Sequence, residues 1–191
     1  MEVERQVIAC LRAHHQSSHL PIFVCVDRSD HARQVGFDNL GDLAKREEIE
    51  AAALVECIGR ERLRPSTDVR VLFCHCNVFD LEGLVTGRTF DVVYHSFFRH
   101  HLPEPQQERL AQLTIGCGKT VLEYDGIRSL WLLIPQTIEN WSCPVFLNAA
   151  VFSTLRFLRK TEIRSRPSPW HVSMYWPGQY LAEYRQAGDV H

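Results

Sequence analysis

The sequence predicts an α/β fold: a mostly parallel sheet with helices on both faces, closed by a C-terminal antiparallel hairpin. Three observations support it. Apolar, β-branched runs such as 20–26 have the character of strands buried on both faces. Polar stretches with helical spacing separate these runs, as expected of parallel strands joined by crossover helices. Near the end of the chain, Trp170–Trp176 and Tyr180–Tyr184 flank Pro177-Gly178, which reads as a hairpin.

In chain order, residues 4–14 place Val7, Ile8 and Leu11 on one helical face, with Cys10 beside them. Gln16-Ser-Ser-His19 breaks the pattern before the first strand, 20–26. From Asp30 to Arg62 the chain is rich in Ala, Glu, Lys and Leu, predicting two helical pieces divided near Gly36–Gly41. Pro65-Ser-Thr-Asp68 is a turn, followed by strands at Val69–Cys74 and Phe90–Tyr94. Glu104–Ile115 is a helix ended by Gly116-Cys-Gly118, and Thr120–Tyr124 a fourth strand closing at Asp125-Gly126. Arg128–Ile138 has helical character that Pro135 would kink or stop. Pro144–Lys160 has Pro in its first turn and Arg and Lys in its last, the polarity of a helix.

With 191 residues the chain is long enough for one domain with a substantial core. The formal charge of −2 supplies no general field for nucleic acid. The basic run Arg156–Lys160, with Arg164 and Arg166, reads as a solvated helix end. The N-terminus lacks the basic and apolar regions of a secretory leader, and the apolar stretch 145–158 is too short to span a bilayer. Seven cysteines, an odd number at low density, suit a reducing compartment. A cytoplasmic protein without membrane or nucleic-acid partners is expected.

Ligands of parallel sheets bind beyond the carboxyl ends of the strands, so chemistry is sought just after Val26, Cys76, Tyr94 and Tyr124. Asp27 follows its strand by one step, where a carboxylate accepts hydrogen bonds from ribose hydroxyls; the alternative is a cap for the following helix, for which Ser29 and Asp30 are equally good. Asn77 follows the second strand, where its side chain suits an Asx-turn. Tyr94, His95, Ser96 and Phe97 sit where the third strand opens. His95 and His100 are candidate general bases, because histidine titrates near neutrality; the alternative leaves His100 and His101 on a loop surface. Cys74-His75-Cys76 fails as a metal site on geometry, because strand alternation sends His75 to the opposite face from both cysteines. Gly116-Cys-Gly-Lys119-Thr120 lacks the first glycine of a phosphate loop and leads into a strand, so it reads as a turn.

The combination Val26-Asp27-Arg28-Ser29, Asn77-Val-Phe-Asp80, Phe90-Asp-Val-Val-Tyr-His95 and the closing hairpin resembles class I S-adenosylmethionine-dependent methyltransferases, from that family's second strand to its seventh. The resemblance covers roughly residues 21–184. It implies a single Rossmann-like domain over 1–191, N-terminally incomplete, whose first strand would be central and flanked by the second and fourth. It also implies S-adenosylmethionine as cofactor: Asp27 and Arg28 at the ribose, Asn77 and the backbone of Val78 at the adenine, Tyr94 and His95 at the methionine end.

A glycine-rich Glu-x-Gly-x-Gly turn is absent before Pro21 and after Tyr184. Its loss removes the backbone approach to the cofactor and leaves two strand edges. The second and fourth family strands can then pair directly, a homodimer or heteromer can complete the sheet, or the chain can be a copy that folds without turnover. The expected activity is methyl transfer to a small-molecule acceptor. The alternative is a non-catalytic scaffold or regulatory subunit, its partner meeting Trp131, Leu132, Leu133 and Trp141. Another nucleotide-binding α/β enzyme is disfavoured by the missing phosphate loop. The acceptor itself is not legible.

Overall fold

The structure, a computed structural model, describes residues 22–40, 45–50, 70–85, 90–128, 134, 138, 143, 151, 154–166, 169–175 and 178–186. It is mixed α/β, and the chain divides into two compact units, Met1–Arg88 and Thr89–His191. The expected helix at 4–14 and the aromatic segment 131–141 fall outside the described residues, apart from single positions.

The first unit contains a three-stranded parallel sheet in the order β1-β3-β2, made of β1 (Ile22–Asp27), β2 (Lys45–Ile49) and β3 (Arg70–His75). Helix α1 (Asp30–Leu40) follows β1. β3 is the central strand, and Val71, Leu72, Phe73 and Cys74 are all buried, as a strand with two neighbours and two covered faces demands. A short 3₁₀ turn (Val78–Leu81) and helix α2 (Glu82–Val85) follow it, anchored by buried Leu81 and Val85.

Helix α1 runs through Gly36 and ends at Leu40, inside the expected break near Gly36–Gly41, but one expectation for this unit is corrected. The charged stretch Lys45–Ile49, expected to be helical, is a strand paired in parallel with β3. Its composition favours a helix, but the open side of a buried apolar strand outweighs local propensity. Lys, Arg and Glu also suit a sheet edge, where charge discourages pairing with other chains.

The second unit contains a four-stranded sheet, β4 (Phe90–Ser96), β5 (Gly118–Gly126), β6 (Trp170–Tyr175) and β7 (Gln179–Arg185), in the order β4-β5-β7-β6. β4 and β5 are parallel, whereas β5·β7 and β6·β7 are antiparallel. The expected hairpin is therefore present, turning through Gly178 at φ 132°, a conformation open to glycine. A single mostly parallel sheet is not what the described residues form: they give one wholly parallel sheet and one mixed sheet.

Helix α3 (Glu104–Cys117) carries Pro in its first turn and buries Gln107, Leu110, Leu113, Thr114 and Cys117 against β4 and β5. It continues through Gly116, and Gly118 opens β5 directly, so the expected turn between them is absent. The helix expected over 144–160 also differs. Residues 154–156 are helical, but Leu158 leaves to bridge Ile127, and Lys160 begins a separate helix, α4 (Lys160–Arg164). Ile163 of α4 completes a core with Tyr180 and Ala182 of β7, flanked by Ile127, Leu158, Trp170, Val172 and Met174. Among the described residues, no helix is long and apolar enough to cross a membrane.

Gly126, at the end of β5, lies against the Phe157 ring: a Cβ there would sit 2.6 Å from Phe157 Cζ and 2.7 Å from Cδ2. Gly126→Ala should destabilise the protein by about 1–3 kcal/mol through overpacking. A lower urea midpoint with an unchanged m-value would show it.

Candidate functional site

The first unit presents one candidate crest. Parallel pairing sets Asp27 opposite His75, and the Cys76 N–H donates to the Asp27 carbonyl at 3.2 Å, extending the ladder one residue past the strand. Asp27 and Asn77 are thereby held at neighbouring carboxyl-terminal strand ends, where parallel sheets bind ligands. Both also serve the local backbone. Asp27 Oδ1 accepts the Ser29 N–H at 2.8 Å, and Ser29 Oγ in turn accepts the Ala32 N–H at 3.2 Å, as a helix N-terminus requires. Asn77 Oδ1 accepts the Phe79 N–H at 3.1 Å while Asp80 Oδ2 accepts the Asn77 N–H at 3.0 Å, a reciprocal cap on the 3₁₀ turn that starts at Val78.

Ser29 caps α1 with Asp27 supporting it, and Asn77 caps the 3₁₀ turn, without consuming the whole of either the Asp27 or the Asn77 side chain. Asp27 Oδ2 and the Asn77 amide nitrogen make no hydrogen bond among the described residues, and both residues are exposed. The Arg28 carbonyl accepts from His75 Nε2 at 3.0 Å, which ties the residue after β1 to the end of β3.

In the second unit the predicted residues diverge. Strand alternation turns Tyr94 outward, 42% exposed, and turns its neighbour His95 onto the covered face. After β4, Phe97 adopts a left-handed backbone, φ 47°, which costs a non-glycine residue about 1–3 kcal/mol. Its N–H donates to the Tyr124 carbonyl at 2.8 Å, and its ring meets Tyr124 edge-on with centroids 5.2 Å apart. This kink sends residues 99–101 back over the sheet.

His100 is consequently buried, not on a loop surface. Asp125 holds it twice, accepting the His100 N–H at 3.3 Å on Oδ2 and pairing Oδ1 with Nδ1 at 2.8 Å. The ring lies 4.5 Å from the Phe157 ring and 4.0 Å from that of His101. A carboxylate on Nδ1 fixes the tautomer and leaves Nε2 as the basic nitrogen, the arrangement that orients histidine bases. His101, shifted down by burial and by the neighbouring His100, stays exposed.

Beside this pair lies a buried charge cluster centred on Glu123, which is not among the sequence-predicted site residues. Glu123 accepts from Arg99 at 3.2 Å, from Arg166 and from the Tyr180 hydroxyl, and His95 Nε2 lies 3.7 Å away. Burial alone would raise its carboxyl, but Arg166, Arg99 and His95 outweigh that and hold it at about 2. Burial shifts His95 downward, and burial with the Glu123 charge pushes Tyr180 upward, so its hydroxyl remains a donor. Arg166 also lies over the Trp170 ring at 4.9 Å. Among the described residues, the buried His95 Nδ1 and Arg166 Nη1 have no hydrogen-bond partner.

The signal for this cluster was present in Val121-Leu-Glu-Tyr-Asp125. Period-two alternation puts Glu123 and Asp125 on the face of buried Val121. Arg99 also lines a cleft of about 690 Å³ with Gln107, Arg128, Arg156 and Glu162.

No family model matches the chain, and no curated protein matches it. Solved structures that resemble it over most of its length include two provisionally named proteins. One is a provisionally named Zn-dependent alcohol dehydrogenase of Rhodobacter sphaeroides, 12% identical, covering 84% of this chain and 91% of that one at a TM-score of 0.33. Another is a provisionally named methyltransferase of Bacillus halodurans C-125, 11% identical, covering 92% and 96% at a TM-score of 0.34. At these scores neither likeness says what this chain does.

Glu123→Gln should cost about 3–5 kcal/mol, because it leaves Arg99 and Arg166 buried without their counter-charge. Acid should destabilise the wild type in two stages. His95, shifted below its ordinary value, withdraws its contribution as pH falls below 6.5. Glu123 contributes fully above 4.5 and loses its contribution as pH falls toward 2. Melting temperatures measured from pH 8 to pH 2 should show both declines in the wild type and no second, Glu123-dependent one in Glu123→Gln.

Proposed function

We propose that the chain is an S-adenosylmethionine-dependent methyltransferase-like protein acting on a small-molecule acceptor, its two units being parts of one Rossmann-like domain. The observation that carries this reading is the crest of the first unit. A carboxylate with one oxygen and an amide with donors that are uncommitted among the described residues stand side by side at the ends of parallel strands β1 and β3. That set fits a nucleoside. Asp27 can accept from ribose hydroxyls, as ribose-binding carboxylates do at strand ends, with Arg28 adjoining. Asn77 and the backbone of Val78 can meet the polar edge of an adenine ring.

S-adenosylmethionine supplies an electrophilic methyl group on a sulfonium. The protein's part is to hold the acceptor in line with it, the largest source of acceleration open to such a site. Tyr94 offers an exposed ring suited to a cation. In this reading His95 or His100 takes the acceptor's proton. His100, with Asp125 fixing Nδ1, is the better prepared of the two.

One observation favours the second reading, a non-catalytic subunit of the same fold. Both histidines are turned into the covered side of the second unit, and burial holds His95 below its ordinary range, which makes it a weaker base. Such a subunit would work through a homodimeric or heteromeric partner. Calorimetric titration with S-adenosylmethionine and S-adenosylhomocysteine separates the two. The methyltransferase reading expects binding in the micromolar range, weakened roughly 10- to 100-fold in Asp27→Ala by loss of a charge-assisted hydrogen bond. A folded protein that gives no heat with either compound would sink it and leave the scaffold.

A further inference from the structure

The same end of β3 carries a pair of thiols that the nucleoside reading does not use. Cys74 and Cys76 fall on one side of the strand, with their sulfurs 3.4 Å apart. His75, between them, faces the other way and donates to the Arg28 carbonyl. Cys25 belongs to the opposite face, because it pairs with Phe73 whereas Val26 pairs with Cys74. Cys74 is fully buried and Cys76 half-buried, so a reagent reaches the pair from the Cys76 side.

Geometry decides which dithiol chemistry this pair suits. A disulfide needs its sulfurs at about 2.05 Å, and closing the gap would pull on a strand hydrogen-bonded on both sides. Cys76 is itself tied to the Asp27 carbonyl. A bound centre needs no such movement. With bonds of about 2.3 Å, sulfurs 3.4 Å apart subtend roughly 95° at the centre, narrower than a tetrahedral angle and far from a linear one. That is the bent geometry of a pyramidal trivalent centre. We propose that Cys74 and Cys76 form a two-sulfur chelate site for a thiophilic trivalent centre, of which a trivalent organoarsenical is the simplest representative.

Capture is a condensation without redox change. The two As–O bonds of the hydrated arsenoxide break, two As–S bonds form, and the thiol protons leave with oxygen as two molecules of water. Burial, with Cys76 beside it, pushes the Cys74 thiol up to about 12, so Cys74 enters as the second, proximity-driven ligand. The first bond forms at the more accessible Cys76. The chelate then gains the effective concentration of a second ligand already in place.

The reduced full-length protein is titrated with phenylarsine oxide, and the adduct is followed by intact mass and by the loss of maleimide-reactive thiols. The expected product carries one phenylarsenic group mapped to the peptide with Cys74 and Cys76. It survives excess 2-mercaptoethanol and is removed by 2,3-dimercaptopropanol. Cys76→Ser should weaken retention at least roughly 100-fold, as should Cys74→Ser if that buried substitution folds, whereas Cys25→Ser should leave it unchanged. An adduct that persists in Cys76→Ser, or that monothiol strips from the wild type as readily as from the variant, overturns the site.

Discussion

The carboxylate of Glu123, taken out of water on the covered face of the second sheet, is the interaction on which that unit's arrangement depends. Three separate segments converge on it: Arg99 from the turn after β4, Arg166 from beyond α4 and Tyr180 from β7. Leaving such an anion unpaired would be costly, so each partner is bound to its place by the desolvation of the others. Gln107 extends the clamp, accepting from Arg99 Nε at 3.3 Å and donating to the Leu102 carbonyl at 3.0 Å, so the 99–102 turn is tied to α3 as well. The strained backbone at Phe97 is tolerable in this setting, because the segment it redirects is held at several points downstream.

Much of the fold was legible because apolar strands announce themselves. β1, β3, β4 and β5 each begin or end within a few residues of their apolar runs, and Pro177-Gly178 between two runs marked the hairpin. What was not legible depended on partners distant in sequence. Lys45–Ile49 has the composition of a helix and becomes a strand only because β3 offers it a free side. Leu158 leaves a helical run to bridge Ile127, a contact no local pattern encodes.

The candidate site divides along the same line. Asp27 and Asn77 could be placed at strand ends from sequence, because their positions follow from strand length alone. The roles of His95 and His100 could not. Alternation shows that His95 and Tyr94 face opposite ways, but only the left-handed turn at Phe97 folds His100 back onto Asp125. Glu123 was readable in principle, as an acidic residue in register with buried Val121. Its two arginines come from positions 24 residues before it and 43 after it.

His100 shows how the same contacts can serve either structure or chemistry. Asp125 secures it by side chain and by backbone, and also accepts the Gly126 N–H at 2.8 Å, so one carboxylate orders both the turn after β4 and the end of β5. That alone justifies a buried His–Asp pair on structural grounds. A general base needs the same orientation plus access for a substrate to Nε2. Access therefore separates the two roles, and the aromatic neighbours Phe97 and Phe157 control it. Phe97 is 40% exposed and stands edge-on to the imidazole at 6.4 Å, whereas Phe157 is buried against Gly126. Among the described residues, the exposed rings beside His100 are Phe97 and His101, so a substrate reaching the imidazole would meet these two rather than buried Phe157.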